Sequence, residues 1–184
     1  ATWLNRPRDK NDRVYVSKAR EALGRVAAQP TASSTMLLLY GRALLQENEV
    51  DTAEQTLLDA ARRFPVDPQA LTEYAVLAER QGHLDAARSA LIAFDELSAG
   101  GPDAAPRASH IAAISMRLND QPATVAWLKR VTTLTPDDAA AFAALADAQL
   151  RAGDKAGAAA TVTRGLEKDA ANVTLQVLAK RLRS

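Results

Sequence analysis

The chain has 184 residues and a formal net charge of +1; 47% of its residues are apolar, and only 4% are aromatic. This length fits one domain or a short repeat array, and the near-neutral charge excludes a polycation that binds nucleic acid through the phosphates. The absence of cysteine excludes disulfides, thiolate metal sites and a cysteine nucleophile. It fits the cytoplasm and the bacterial periplasm equally, so the localisation stays open.

The N-terminal segment, residues 1–33, is basic, with seven Lys or Arg residues against three Asp or Glu residues. We interpret its beginning as a solvated segment, since tails that bind nucleic acid or membranes carry denser runs of charge. A helix around Trp3 would be interrupted by Pro7. Further on, apolar residues recur at helical spacing and predict the second helix of a partial pair, at Val16, Ala19, Leu23 and Val26.

From residue 34 the sequence alternates between two helical patterns joined by short polar turns. The first pattern has apolar or small residues at i, i+3, i+4 and i+7, namely Leu37, Tyr40, Gly41 and Leu44. The second begins at Val50, and Ser33, Ser34 and Thr35 are expected to cap the start of the first. Each unit is therefore predicted to be two antiparallel helices.

These patterns recur with a period of 34 residues, which separates Asn48 from Gly82 and Ala53 from Ala87. The same spacing separates Asn119 from Gly153, and an offset of three residues falls in the Gly- and Pro-rich stretch 98–106. Periods of this length are typical of arrays whose units bury their apolar faces by stacking.

The recurring positions together resemble the tetratricopeptide repeat family. The resemblance implies an all-α fold, a right-handed superhelical solenoid of antiparallel helix pairs. It divides the chain into segment 1–33, repeats 34–67, 68–101, 105–138 and 139–172, a loop insertion at 102–104, and a C-terminal capping helix at 173–184. Within this scheme Ala99 replaces a terminal proline and Thr124 replaces a small alanine.

Two expectations concern the C-terminal part. Gly157 and Gly165 dilute the second helix of the last repeat, and each is expected to cost up to about 1 kcal/mol relative to alanine. Asn172 is expected to cap the closing helix, whose outer face is expected to be polar and to close the stack.

The sequence gives no catalytic or cofactor-binding constellation. His83 follows a turn glycine and is read as a surface residue, whereas His110 is either a binding contact or a solvated or packing residue. Neither histidine has zinc-site spacing, and no glycine pattern resembles a phosphate loop. We therefore expect no enzyme activity, no metal and no cofactor. The longest apolar run, residues 139–146, is far shorter than the roughly 20 residues that a membrane span requires.

The resemblance also implies a binding face on the concave side, formed by the first helices of the repeats. Its expected partner-binding residues are Leu38, Leu39, Arg42, Leu45, Glu73, Val76, Arg80, His110, Met116, Arg117, Asp147 and Arg151. The arginines are expected to pair with carboxylates of a partner. The leucines either contact the partner or are buried by the preceding partial unit.

The resulting hypothesis is a non-catalytic protein–protein interaction scaffold that binds a partner peptide or helix in its concave groove. The composition is typical of a GC-rich bacterium, so a larger bacterial protein or assembly is the expected context. The alternatives are a structural or self-assembling solenoid segment and a regulatory domain of a larger enzyme. The sequence leaves the oligomeric state and the partner open.

Overall fold

The computed structural model describes residues 12–98 and 100–183, with side chains from residue 17 onward. The predictions for Trp3, Pro7, Val16 and Ala99 lie outside the residues or side chains that it describes. The chain divides into two compact units, unit 1 at residues 1–97 and unit 2 at residues 98–184. The described parts of both units contain α-helices and no strand, which confirms the predicted all-α class.

Unit 1 contains α1 (Asp12–Ala27), α2 (Ser34–Gln46), α3 (Val50–Arg62), α4 (Pro68–Arg80) and α5 (Leu84–Leu97). Unit 2 contains α6 (Ala104–Arg117), α7 (Gln121–Leu134), α8 (Ala139–Arg151), α9 (Lys155–Lys168) and α10 (Val173–Arg183). Helices α2 to α9 pair in chain order, α1 packs on α2, and α10 packs on α8 and α9. None of the described helices is both long and apolar enough to cross a membrane.

The turns inside the four described helix pairs share the same backbone geometry. A residue with positive φ occupies each turn, at Asn48 (63°), Gly82 (82°), Asn119 (57°) and Gly153 (82°). The next amide donates to the carbonyl five residues earlier, in Glu49 to Leu44, His83 to Ala78, Asp120 to Ser115 and Asp154 to Gln149. This hydrogen bond closes a helix in the Schellman motif. The positive φ that the motif requires explains why each turn has either glycine or asparagine at this position.

The crossing points of the helix pairs need small residues. Ala53, Ala87 and Ala158 are fully buried, and so is Thr124 at the equivalent position of the third pair. The Thr124 hydroxyl donates to the Asp120 carbonyl at 2.8 Å. Threonine is therefore tolerated at this crossing because its polar atom is hydrogen-bonded inside its own helix.

The serines at the start of α2 have different roles. Ser33 is the N-cap, and its side chain accepts a hydrogen bond from the Met36 amide, as predicted. Ser34 is buried instead; its hydroxyl donates to the Ala60 carbonyl at 2.7 Å and accepts from the Asp67 amide at 2.9 Å. Ser34 therefore ties α2 to the end of α3 and to the start of α4, a contact that the capping prediction missed.

The expectation that Gly165 only weakens α9 is wrong. A Cβ atom at this position would lie 2.7 Å from the Leu175 Cδ1 atom and 2.8 Å from the Phe142 Cβ atom. Both of these side chains belong to the core in which α8, α9 and α10 meet. The glycine therefore allows close helix packing, because a side chain here would force its neighbours to shift.

The closing helix α10 begins as predicted, since the Asn172 side chain accepts a hydrogen bond from the Leu175 amide. Its exposed side is not uniformly polar, however. Val173 and Val177 are 73% and 57% exposed and lie one turn apart. The expected polar outer face is therefore corrected to a mixed one.

Candidate partner-binding faces

The first helices of unit 1, α2 and α4, are joined by a polar network. The Arg42 Nε atom donates to both carboxylate oxygens of Glu73, at 2.8 and 3.0 Å, and a third hydrogen bond runs from Arg42 Nη2 to Glu73. The Arg42 Nη2 atom also donates to Gln69 at 3.2 Å. The hydrogen bonds and charge of Glu73 raise the pKa of Arg42, which burial alone would lower. This guanidinium is therefore committed within the chain, contrary to the expectation that it is offered to a partner.

The leucines of α2 are not equally accessible. Leu38 is 1% exposed and therefore belongs to the core, whereas Leu39 and Leu45 are half-buried. Helices α1, α3 and α4 all pack against α2, which explains why Leu38 is enclosed. The prediction that Leu38 contacts a partner is corrected on this ground.

Two of the predicted residues on α4, Val76 and Arg80, are exposed. Val76 is 45% exposed, and Arg80 is exposed one turn later along the helix. Arg80 forms no ion pair with any other described residue. Together they present an apolar side chain and a cation to the solvent on the same side of α4.

In unit 2 the predicted residues lie on α6 and α8. Met116 is partly exposed and Arg117 is exposed, while His110 is half-buried; His110 and Arg117 each already make an interaction within the chain. Asp147 and Arg151 pair with each other along α8, at 2.7 Å. Asp147 and Arg151 therefore balance each other's charge, and His110 and Arg117 are already engaged within the chain.

The chain matches the profile of a known protein family. The tetratricopeptide repeat profile matches residues 16–62, 38–105 and 123–173, which is well over half of the chain. The chain belongs to the tetratricopeptide repeat family. None of the curated protein sequences compared with the chain matches it.

Solved structures support the same tetratricopeptide repeat fold. MamA from Desulfovibrio magneticus RS-1 is 15% identical, with a TM-score of 0.54 over 82% of this chain and 83% of that one. A tetratricopeptide repeat protein from Parabacteroides merdae ATCC 43184 is 15% identical, with a TM-score of 0.57 over 82% of this chain and 60% of that one. A chain of the APC/C hetero-tetramer Cut9–Hcn1 is 18% identical, with a TM-score of 0.51 over 95% of this chain and 35% of that one. At these identities the likeness concerns the fold alone.

A buried carboxylate that pairs with a surface histidine was not predicted from the sequence. Glu54 of α3 is 7% exposed, and its Oε1 atom lies 2.6 Å from the Nδ1 atom of His83. His83 does lie in a turn on the surface, as predicted, but its ring also pairs with this buried carboxylate. A glutamate among the inward positions of an otherwise apolar helix face was the available signal.

The described residues contain no cluster of His, Asp or Glu that could hold a metal ion.

Proposed function

We propose that this tetratricopeptide repeat chain is a non-catalytic scaffold that binds a segment of a partner protein on the first-helix face of unit 1. This face consists of the accessible side chains of α2 and α4, namely Leu39, Arg42, Leu45, Glu73, Val76 and Arg80. Tetratricopeptide repeats generally mediate protein–protein interaction, which supports this class of function.

One observation carries the proposal. Val76 is partly exposed on α4, and Arg80 lies one turn further without an ion pair to any described residue. An apolar side chain beside an arginine suits a partner segment that carries an apolar residue next to a carboxylate. Leu39 and Leu45 add apolar surface, while the pair of Arg42 and Glu73 holds α2 and α4 together.

In unit 2 we propose a similar but weaker contact at Met116. The neighbouring charges are largely balanced within the chain, so this surface favours apolar contact over ion pairing.

The test is affinity capture from the source organism with three forms of the chain. The parent is compared with a Val76→Ser/Arg80→Ser variant and with a control, Gln55→Ser/Asp59→Ser, which alters exposed residues of α3. We expect the parent and the control to capture the same protein and the first variant to lose it. Equal capture by all three forms would refute the proposed face.

A structural role is the second candidate, because Val173 and Val177 expose apolar surface on α10. Self-association through this surface predicts a dimer in light scattering that Val177→Lys converts to a monomer. A monomer at all protein concentrations would remove this candidate.

A further inference from the structure

Unit 1 has a concave surface feature among α3, α4 and α5. It is a groove of about 350 Å³, at the lower end of the range of ligand pockets. Its residues are Leu58, Ala61, Arg62, Leu71, Tyr74, Asp85, Ala86, Ser89, Ala90 and Ala93. The walls are mostly small or apolar because α5 presents alanines where larger residues would fill the space.

The groove contains a tyrosine whose hydroxyl has no hydrogen-bond acceptor among the described residues. Tyr74 is only 7% exposed, and its hydroxyl forms no hydrogen bond with any described residue. The hydroxyl oxygen itself is accessible to solvent, so it can donate to an acceptor that enters the groove. Burial and the nearby Glu54 carboxylate raise the pKa of Tyr74, which keeps the hydroxyl protonated and able to donate.

The charges along the groove also favour an acceptor. Arg62 is exposed in the last turn of α3, forms no ion pair with any described residue, and lies close enough to Tyr74 to affect its titration. Asp85, by contrast, is engaged by the Arg88 Nη2 atom at 3.1 Å. The groove therefore offers two uncommitted donors, while its carboxylate already has a cation beside it.

We propose that this groove binds a partner peptide that carries a large apolar residue followed by an acidic one. The apolar side chain lies between α3 and α5, a main-chain carbonyl accepts the hydrogen bond of Tyr74, and the carboxylate pairs with Arg62. The site is separate from the first-helix face and does not depend on the function proposed above.

The test is an NMR titration of the full chain with the probe peptide N-acetyl-Ala-Phe-Glu-Ala-amide. We expect millimolar binding, with shifts of groove residues such as Ala61, Ala86 and Ala90. Tyr74→Phe should weaken binding by about three- to tenfold, the factor that one hydrogen bond contributes. Arg62→Gln should abolish the preference over a second probe in which Gln replaces Glu.

Two variants serve as controls. Tyr40→Phe removes a hydroxyl outside the groove, and Arg183→Gln removes an exposed arginine in the last turn of α10. Both should bind the probe as the parent does, whereas Ala86→Leu should block binding by filling the groove.

Three results would overturn the proposal. The first is no shift of the groove residues up to about 10 mM peptide, well above the concentration that millimolar affinity requires. The second is equal binding by the parent, Tyr74→Phe and Arg62→Gln. The third is movement of the same resonances when the protein is concentrated without peptide, which would make a second copy of the chain the occupant.

Discussion

Replacing Gly165 with alanine tests whether close packing or helix propensity dominates in α9. In an exposed helix this change stabilises by up to about 1 kcal/mol, because alanine is the better helix former. Here the added Cβ atom would lie 2.7 Å from Leu175 Cδ1 and 2.8 Å from Phe142 Cβ, against an ordinary carbon–carbon contact of about 3.5–4.0 Å.

The magnitude follows from which neighbour can move. The end of the Leu175 side chain can rotate, but the Phe142 Cβ atom is fixed to the backbone of α8, and both residues are fully buried. Overpacking of this kind costs about 1–3 kcal/mol. The gain in helix propensity offsets part of this cost, so we expect Gly165→Ala to lower the free energy of unfolding by about 1 kcal/mol.

The assay is urea unfolding followed by helical circular dichroism, with Ala160→Gly as the control in the same helix. Ala160 is exposed, so its replacement should cost about 1 kcal/mol through propensity alone. In a Leu175→Ala background, Gly165→Ala should become less costly because one obstacle is gone. A higher urea midpoint for Gly165→Ala in the parent chain would refute the packing argument.

The remaining predictions concern stability and use the same unfolding assay. A double-mutant cycle with Arg42→Ala and Glu73→Ala should give a coupling of about 0.5–1 kcal/mol, since both groups are partly solvated; zero coupling would show that the pair does not link α2 to α4. His83→Ala should destabilise by about 1–3 kcal/mol because it leaves the buried Glu54 carboxylate without its observed partner; an unchanged midpoint would contradict this. Gly82→Ala should cost about 1–2 kcal/mol at its φ of 82°, whereas asparagine, which occupies two of the equivalent turns, should cost less; equal losses would argue against backbone strain.

The helix pairs and turns could be predicted because the signals for them are local. Asn48 and Gly82 mark turns through the positive φ that only a few residue types adopt readily, and the periodic apolar residues define the buried faces. These signals lie within one unit of the repeat and do not depend on how a neighbouring unit packs. The division into repeats 34–67, 68–101, 105–138 and 139–172 remains a proposal alongside the observed helix pairs.

The candidate site was less predictable because accessibility depends on packing between helices. Leu38 and Leu39 are adjacent apolar residues on one predicted face, yet Leu38 is buried and Leu39 is partly accessible. Gly165 appeared unfavourable in its own helix, but a side chain there would lie too close to residues of α8 and α10. Neither outcome is contained in the helical spacing of the residues concerned.

The period nevertheless makes some of these contacts readable from the sequence. Arg42 and Glu73 are 31 residues apart, and Lys168 pairs with Asp137 at the same separation. In a 34-residue repeat, two residues 31 positions apart lie in successive units. The second residue lies three positions, or nearly one helical turn, before the place equivalent to the first. Arg80 has no ion pair with any described residue. Arg80 is therefore a better candidate than Arg42 for binding a partner carboxylate, since binding there breaks no existing ion pair.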